Sequence, residues 1–147
     1  MKLEIRTKVN GSPEAVMAGF TRDLFEALSP PFPPVKVKTF DGSKTGDHVD
    51  LELNFIFFKE RWLSVIIEDG EKNGGVYFVD EGRELPFFLS GWRHEHRIEP
   101  DPDKADSSII VDSINFKTPI WLPEFLMLPA LWGQFLYRIP IYKRFFA

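Results

Sequence analysis

Residues 91–100 read GWRHEHRIEP, and Trp92, His94, His96 and Ile98 alternate there with Arg93, Glu95, Arg97 and Glu99. Successive side chains on an extended strand point to opposite faces, so the indole, both imidazoles and the isoleucine share one face. The charged set belongs in solvent, and Trp92 and Ile98 mark the other face as the inner one. Two imidazoles on an inner face need hydrogen-bond partners. Four readings are open at this point: a metal site, a catalytic site, the polar end of a ligand cavity, or a half-buried strand whose polar groups satisfy one another.

The same period of two extends in both directions. Downstream, the acidic turn PDPDKAD leads into SSIIVDSINFK, which predicts a hairpin. Setting Glu99 near Ser107 would place His94 opposite Asp112 and His96 opposite Ile110. A carboxylate beside an imidazole would hold the ring and raise its pKa. Upstream, VKVKTF, DHVDLELNFIFF, RWLSVIIED and GVYFVDEG read as strands, parted by DGSKTGD, DGEKNGG and EGRELP. In the second of these, Val49, Leu51, Leu53, Phe55 and Phe57 are expected on one side. With no helix between them, these strands form an antiparallel meander rather than βαβ units.

At the start, Leu3, Ile5, Thr7 and Val9 alternate with Lys2, Glu4, Arg6 and Lys8, which predicts a strand with one buried face. Ser12 is a good N-cap and Pro13 suits the first helical position. A short helix is expected there, with a break near Gly19 and a second short helix through TRDLFEAL. SPPFPP then stops it and serves as a rigid link. The final stretch, PIWLPEFLMLPALWGQFLYRIPIYKRFFA, reads as a long helix interrupted by Pro123, Pro129 and Pro140. Its expected inner face is Phe125, Leu128, Leu131, Trp132, Phe135 and Ile139, extended by Met127 and Leu136. Ile120 to Tyr142 is long enough to span a bilayer, but Glu124, Gln134, Arg138 and the prolines argue for a covering helix, with membrane contact but no span.

The order is therefore strand, two short helices, about six strands and a terminal helix. It is α+β, with a curved antiparallel sheet of six to seven strands around a long C-terminal helix, expected as one domain over residues 1–147. This order resembles the helix-grip fold of the START-related, or SRPBCC, superfamily. A more specific likeness lies in residues 86 to 116. Trp92, His94, His96, Ile98 and Pro100 resemble the W-x-H-x-H-x-F-x-P strand of bacterial ligand-binding proteins of the polyketide cyclase/dehydrase-like type. Ser108, Asp112, Ile114 and Phe116 resemble the T-x-x-x-D-x-V-x-Y strand that follows it, with Ser for Thr, Ile for Val and Phe for Tyr. The resemblance implies a fold and a cavity for a hydrophobic ligand. It does not imply one reaction.

Composition excludes several functions. The 147 residues carry 18 basic and 22 acidic side chains, a net charge of −4, so no basic surface favours nucleic acid. Cysteine is absent, which removes disulfides, thiolate metal sites and a cysteine nucleophile. The opening MKLEIRTKVN has no apolar leader, and a cytoplasmic protein is expected. No G-x-S-x-G or phosphate-cradling glycine loop occurs. Asp80 and Glu81 are adjacent and are expected in solvent rather than as a catalytic pair.

A metal is not expected either. Glu99 has the wrong parity to join the His pair, His48 should face water, and Asp112 would come from the same hairpin. No cofactor is expected. The expected partner is a hydrophobic or amphipathic small molecule (a lipid, a polyketide-like or an aromatic compound) held between the sheet and the last helix. His94, His96 and Asp112 would form its polar contact, and Trp92, Phe78, Phe116, Trp132 and Phe135 its walls. The alternative is a cyclase or dehydrase-type enzyme with His94 or His96 as acid or base and Asp112 as orienter. A third reading has the polar groups satisfying one another in a closed core.

Overall fold

A computed structural model describes residues 1–147. Seven strands form one antiparallel sheet: β1 (Lys2–Asn10), β2 (Val35–Phe40), β3 (His48–Asn54), β4 (Lys59–Lys72), β5 (Gly75–Glu84), β6 (Gly91–Pro100) and β7 (Ser107–Lys117). Their order across the sheet is β1-β7-β6-β5-β4-β3-β2. From β2 to β7 each strand pairs with the next in sequence, as short turns require. β1 closes on β7 at one edge and β5 lies at the middle. Register shifts between β2 and β3 and between β4 and β5 mark bulges. Each bulge bends its strand, which curls the sheet towards its inner face.

Helices α1 (Pro13–Ala18) and α2 (Arg22–Ala27) follow β1. Ser12 caps α1, its hydroxyl accepting from the Ala15 amide at 3.2 Å, and Gly19 ends it. Both helices form where the sequence predicts them. β3 is shorter than expected. Its last residue, Asn54, takes the Ile56 amide on its side-chain oxygen, and Ile56 turns the chain at φ 75°. The alternation therefore ends, and Phe57 is 94% exposed instead of lying beside Leu53.

The terminal helix, α3 (Glu124–Phe145), runs unbroken for 22 residues with Pro129 and Pro140 inside it. Pro123 sits at its N-cap, where no helical donor is needed. Each internal proline removes one donor, freeing the carbonyl four residues back. Those residues are Phe125 and Leu136, both on the exposed side of the helix. The expected inner face is consequently corrected. Leu131, Phe135 and Tyr142 are buried, with Arg138 at the matching position between them, while Phe125, Trp132 and Leu136 are exposed. Spacings of four, three and four keep this stripe on one side of the helix. No helix is long and apolar enough to cross a membrane.

The core has two parts. One gathers Phe20, Leu24, Phe78, Ile98, Ile110 and Tyr142 under α1 and α2. The other gathers Leu3, Trp92, Ile114, Phe116, Leu131 and Phe135 under the first half of α3. Leu131→Ala should cost about 3 kcal/mol of stability in urea unfolding, the usual loss for a buried leucine. Trp132→Ala, on the exposed side, should cost less than about 1 kcal/mol.

Candidate functional site

β6 and β7 pair with His94 opposite Ile114, His96 opposite Asp112 and Ile98 opposite Ile110. The expected register is therefore wrong by two residues. The physical reason is the turn: β6 continues to Pro100 opposite Ser108, and the Asp101 amide donates to the Ser107 carbonyl at 3.0 Å. An even slip keeps every side chain on its face. Asp112 thus remains inward, and its contact with His94 survives on the diagonal, with His94 Nε2 at 2.8 Å from Asp112 Oδ1.

Asp80 supplies the residue that the sequence reading placed in solvent. It lies on β5 opposite His94, two positions from inward-facing Phe78, and is 9% exposed. Glu81, its neighbour, takes the outer face and is half-exposed. The signal was present in the sequence: of two adjacent residues on a strand, one must share the face of Phe78. His96 Nε2 lies 2.7 Å from Asp80 Oδ2, and the indole of Trp92 donates to Asp80 Oδ1 at 3.1 Å.

The imidazoles of His94 and His96 stack, with centroids 3.6 Å apart, and His96 also stacks on Phe78. Each ring bonds one carboxylate and faces the other at longer range. His94 Nδ1 is 3.7 Å from Asp80 Oδ2, and His96 Nδ1 is 3.8 Å from Asp112 Oδ1. Arg138 reaches in from α3, its guanidinium over the Phe135 ring and 4.0 Å from Asp112 Oδ1. His96 Nδ1, Asp112 Oδ2, Arg138 Nη1 and the Tyr142 hydroxyl make no direct hydrogen bond with protein.

Burial and charge set the protonation of this group. Burial, reinforced by charge on His94, pulls His96 down from 6.5 to about 4, against the attraction of Asp80 and Asp112. For this ring desolvation outweighs the attraction of both carboxylates. Burial also works to raise Asp80, but the His96 bond, the histidine charges and the Trp92 donor outweigh it and lower that carboxyl. Asp112 is lowered in the same way, chiefly by His94, with Arg138 contributing. Burial and then the charge of Asp112 raise the Tyr142 hydroxyl.

Between sheet and α3 lies a cavity of about 110 Å³. Phe25, Phe40, Trp62, Phe78, Trp92 and Phe135 give it aromatic walls, and Asp80, His94, His96, Gln134 and Arg138 give it polar ones. A wider groove of about 630 Å³ adjoins it and shares Pro30, Pro33 and Gln134 with it. The SPPFPP segment therefore forms a lip between cavity and groove. Of the residues singled out in the sequence, Trp92, His94, His96, Phe78 and Phe135 line the cavity together. Asp112 sits behind the imidazoles, fully buried. Phe116 packs in the core with Leu3 and Ile114, because its position on β7 lies nearer the closed edge of the sheet. Trp132 points outward, one residue past buried Leu131.

No family model and no curated protein matches the chain in sequence. Solved structures do match in shape. The Zhui aromatase/cyclase from Streptomyces sp. R1128 superposes with a TM-score of 0.68 over 97% of this chain and 90% of its own, at 15% identity. An uncharacterized protein from Bacillus thuringiensis gives 0.69 over 99% and 98%, also at 15% identity. Norcoclaurine synthase from Thalictrum flavum gives 0.65 over 97% and 90%, at 13%. The shared shape is the helix-grip fold: a curled antiparallel sheet, short helices after its first strand and a long C-terminal helix. Within that fold, the histidine and aspartate cluster lies on the cavity side of the central strands β5 and β6, with α3 of the grip closing over it.

Stability should fall on the acid side in two stages. Between about 6.5 and about 4 an unfolded chain protonates His96 while the folded chain does not, so acid favours unfolding. The loss should approach about 1.4 kcal/mol per pH unit in that window. Below it the lowered carboxyls Asp80 and Asp112 extend the loss, because the unfolded carboxylates take up protons first. Urea midpoints measured in chelator across this range should show the slope, and His96→Gln should flatten its upper stage.

Proposed function

We propose that the chain binds a hydrophobic or amphipathic small molecule between the sheet and α3. The observation that carries this reading is the aromatic-walled cavity in which polar groups from β5, β6 and α3 converge. A cavity of about 150 Å³ with apolar walls accepts benzene. The 110 Å³ here therefore suits one ring or a chain of similar bulk, with any longer portion lying in the adjoining groove. Removing about 200 Å² of ligand apolar surface from water would contribute on the order of 5 kcal/mol, before the entropy of association is counted. Asp80, His94, His96, Gln134 and Arg138 would orient a polar head, and Phe78, Trp92 and Phe135 would hold the ring.

A second reading is a cyclase or dehydrase-type enzyme in the same cavity. It is favoured by His96, whose depressed pKa keeps it uncharged at neutral pH. The cavity-lining His96–Asp80 pair, bonded through Nε2, would take up the proton from a bound ligand, while Nδ1 stays buried towards Asp112. Asp80 then orients the base from one side, and Asp112 orients His94 from the other. Two proteins that share the fold, an aromatase/cyclase and norcoclaurine synthase, carry enzyme names and lend support at the level of fold.

Native mass spectrometry of the purified chain should reveal a co-purified small molecule, and an apolar fluorescent probe such as anilinonaphthalene sulfonate should bind and be displaced by ligand. Gln134→Trp, at the junction of cavity and groove, should weaken probe binding at least tenfold while the melting temperature stays within a few degrees. Undiminished probe binding by that variant would remove the cavity from consideration. For the enzyme reading, His96→Asn should abolish cyclisation of a poly-β-keto probe and leave its binding within about threefold. Equal loss of both would favour the plain binder.

A further inference from the structure

We infer that Asp80, His94 and His96 form a binding site for a divalent first-row transition ion, facing the cavity. The sequence supplied a His-x-His pair and no third ligand of the right parity. Asp80 on β5 is that third ligand. One ligand atom from each of the three lies within 4.8 Å of the other two. Asp80 Oδ2 is 2.7 Å from His96 Nε2 and 3.7 Å from His94 Nδ1. Bonds of about 2.0 to 2.2 Å to a shared ion would put ligand atoms roughly 3 to 3.5 Å apart. The first contact would open and the second close by a fraction of an ångström.

A second observation, independent of spacing, points the same way. His94 Nε2 bonds Asp112 Oδ1 at 2.8 Å, so in the neutral ring Nε2 carries the hydrogen and Nδ1 carries the lone pair. That lone pair faces an Asp80 oxygen, and both are buried acceptors. Two facing acceptors repel unless positive charge lies between them. A proton on His94 alone would bridge them with a single positive charge between two buried carboxylates, and a second proton on His96 would set two imidazolium ions 3.6 Å apart. One divalent ion in front of both rings supplies the charge without that conflict.

The surroundings are those that fix metal ligands. A carboxylate behind a ligating histidine sets its tautomer and raises its basicity, which is the position of Asp112 behind His94. Trp92 holds the other oxygen of Asp80 by its indole N–H, leaving Oδ2 to turn towards an ion. All three ligands line the cavity, so the remaining coordination positions open into it. There an oxygen of water or of a bound molecule could complete the shell. Two imidazoles with one carboxylate favour Zn²⁺, Co²⁺ or Fe²⁺ over Mg²⁺ or Ca²⁺. The inference does not depend on the proposed small-molecule ligand.

Full-length protein, stripped with chelator, is dialysed against Zn²⁺ and separately against Co²⁺. Inductively coupled plasma mass spectrometry should find one equivalent bound, and Co²⁺ should give visible bands of protein-bound ion. Asp80→Asn, close in shape, should weaken binding at least tenfold, and Asp112→Asn by about tenfold or more. His48→Gln, at the exposed histidine that opens β3 and lies outside the cavity, should change nothing. Substoichiometric metal in the wild type, or equal affinity in wild type and Asp80→Asn, overturns the assignment. Probe binding is followed in the same samples. Retained probe with no metal defeats the ion site and spares the binder reading; bound metal with no probe does the reverse. Circular dichroism of each variant, with the wild-type Co²⁺ spectrum, keeps misfolding from passing as lost ligation.

Discussion

Two carboxylates, Asp80 and Asp112, are buried on the inner face of the sheet, and the centre of this molecule is arranged around the need to match them. An unpaired buried charge costs several kcal/mol, so each must be met by donors or positive charge. Trp92 and His96 meet Asp80, while His94 and Arg138 meet Asp112. The cluster draws on four separate elements: β6 supplies Trp92 and both histidines, β5 and β7 the carboxylates, and α3 the guanidinium. Strand register and helix rotation are therefore both constrained by one polar cluster. A slip of β6 by a single residue would turn Trp92, His94 and His96 outward and strand both acids.

The same constraint shapes α3. Leu131, Phe135 and Tyr142 bury the stripe, and Arg138 falls on it between the last two. A wholly apolar stripe would pack better in isolation, but it would leave Asp112 without its positive neighbour. Arg138 lays its guanidinium over the Phe135 ring and within 4.0 Å of the carboxylate, so one residue serves both needs. The prolines are compatible with this because the carbonyls they free belong to residues on the outer side. A helix that reads as broken in sequence is thereby continuous in the fold.

The element order, the hairpin of β6 and β7 and the two short helices were legible because local rules dictate them: alternation, a cap at Ser12, and turn residues between strands. The inward face of Trp92, His94 and His96 was legible for the same reason. What was not legible depended on distances between elements. The β6–β7 register depended on where the turn closed, and the even slip hid itself by preserving faces. Trp132 and Leu131 are adjacent on an apolar helix, and only packing against the sheet selects Leu131. Phe116 and Phe78 both alternate correctly, yet they fall in different halves of the core. Asp80 reads as one of two adjacent acids suited to solvent, although the parity that places Phe78 inside also places Asp80 inside.

The cavity and the polar cluster explain one another. Core packing ordinarily closes voids, since each unfilled methyl-sized space costs stability. Here the floor of the void is formed by Asp80, His94 and His96, and an apolar side chain collapsing onto them would set polar atoms against a surface with no matching partner. Collapse would therefore exchange a packing gain for a desolvation loss, and the loss is larger per group. The aromatic walls are held apart in turn: Trp92 is tied to Asp80, Phe78 is stacked on His96, and Phe135 is pinned under Arg138. Three of the rings that could fill the space are thus bound to the polar groups that keep it open. A chain that replaced Asp80, Asp112 and both histidines with leucines would have every reason to close the hollow, and α3 would then need no arginine on its buried stripe.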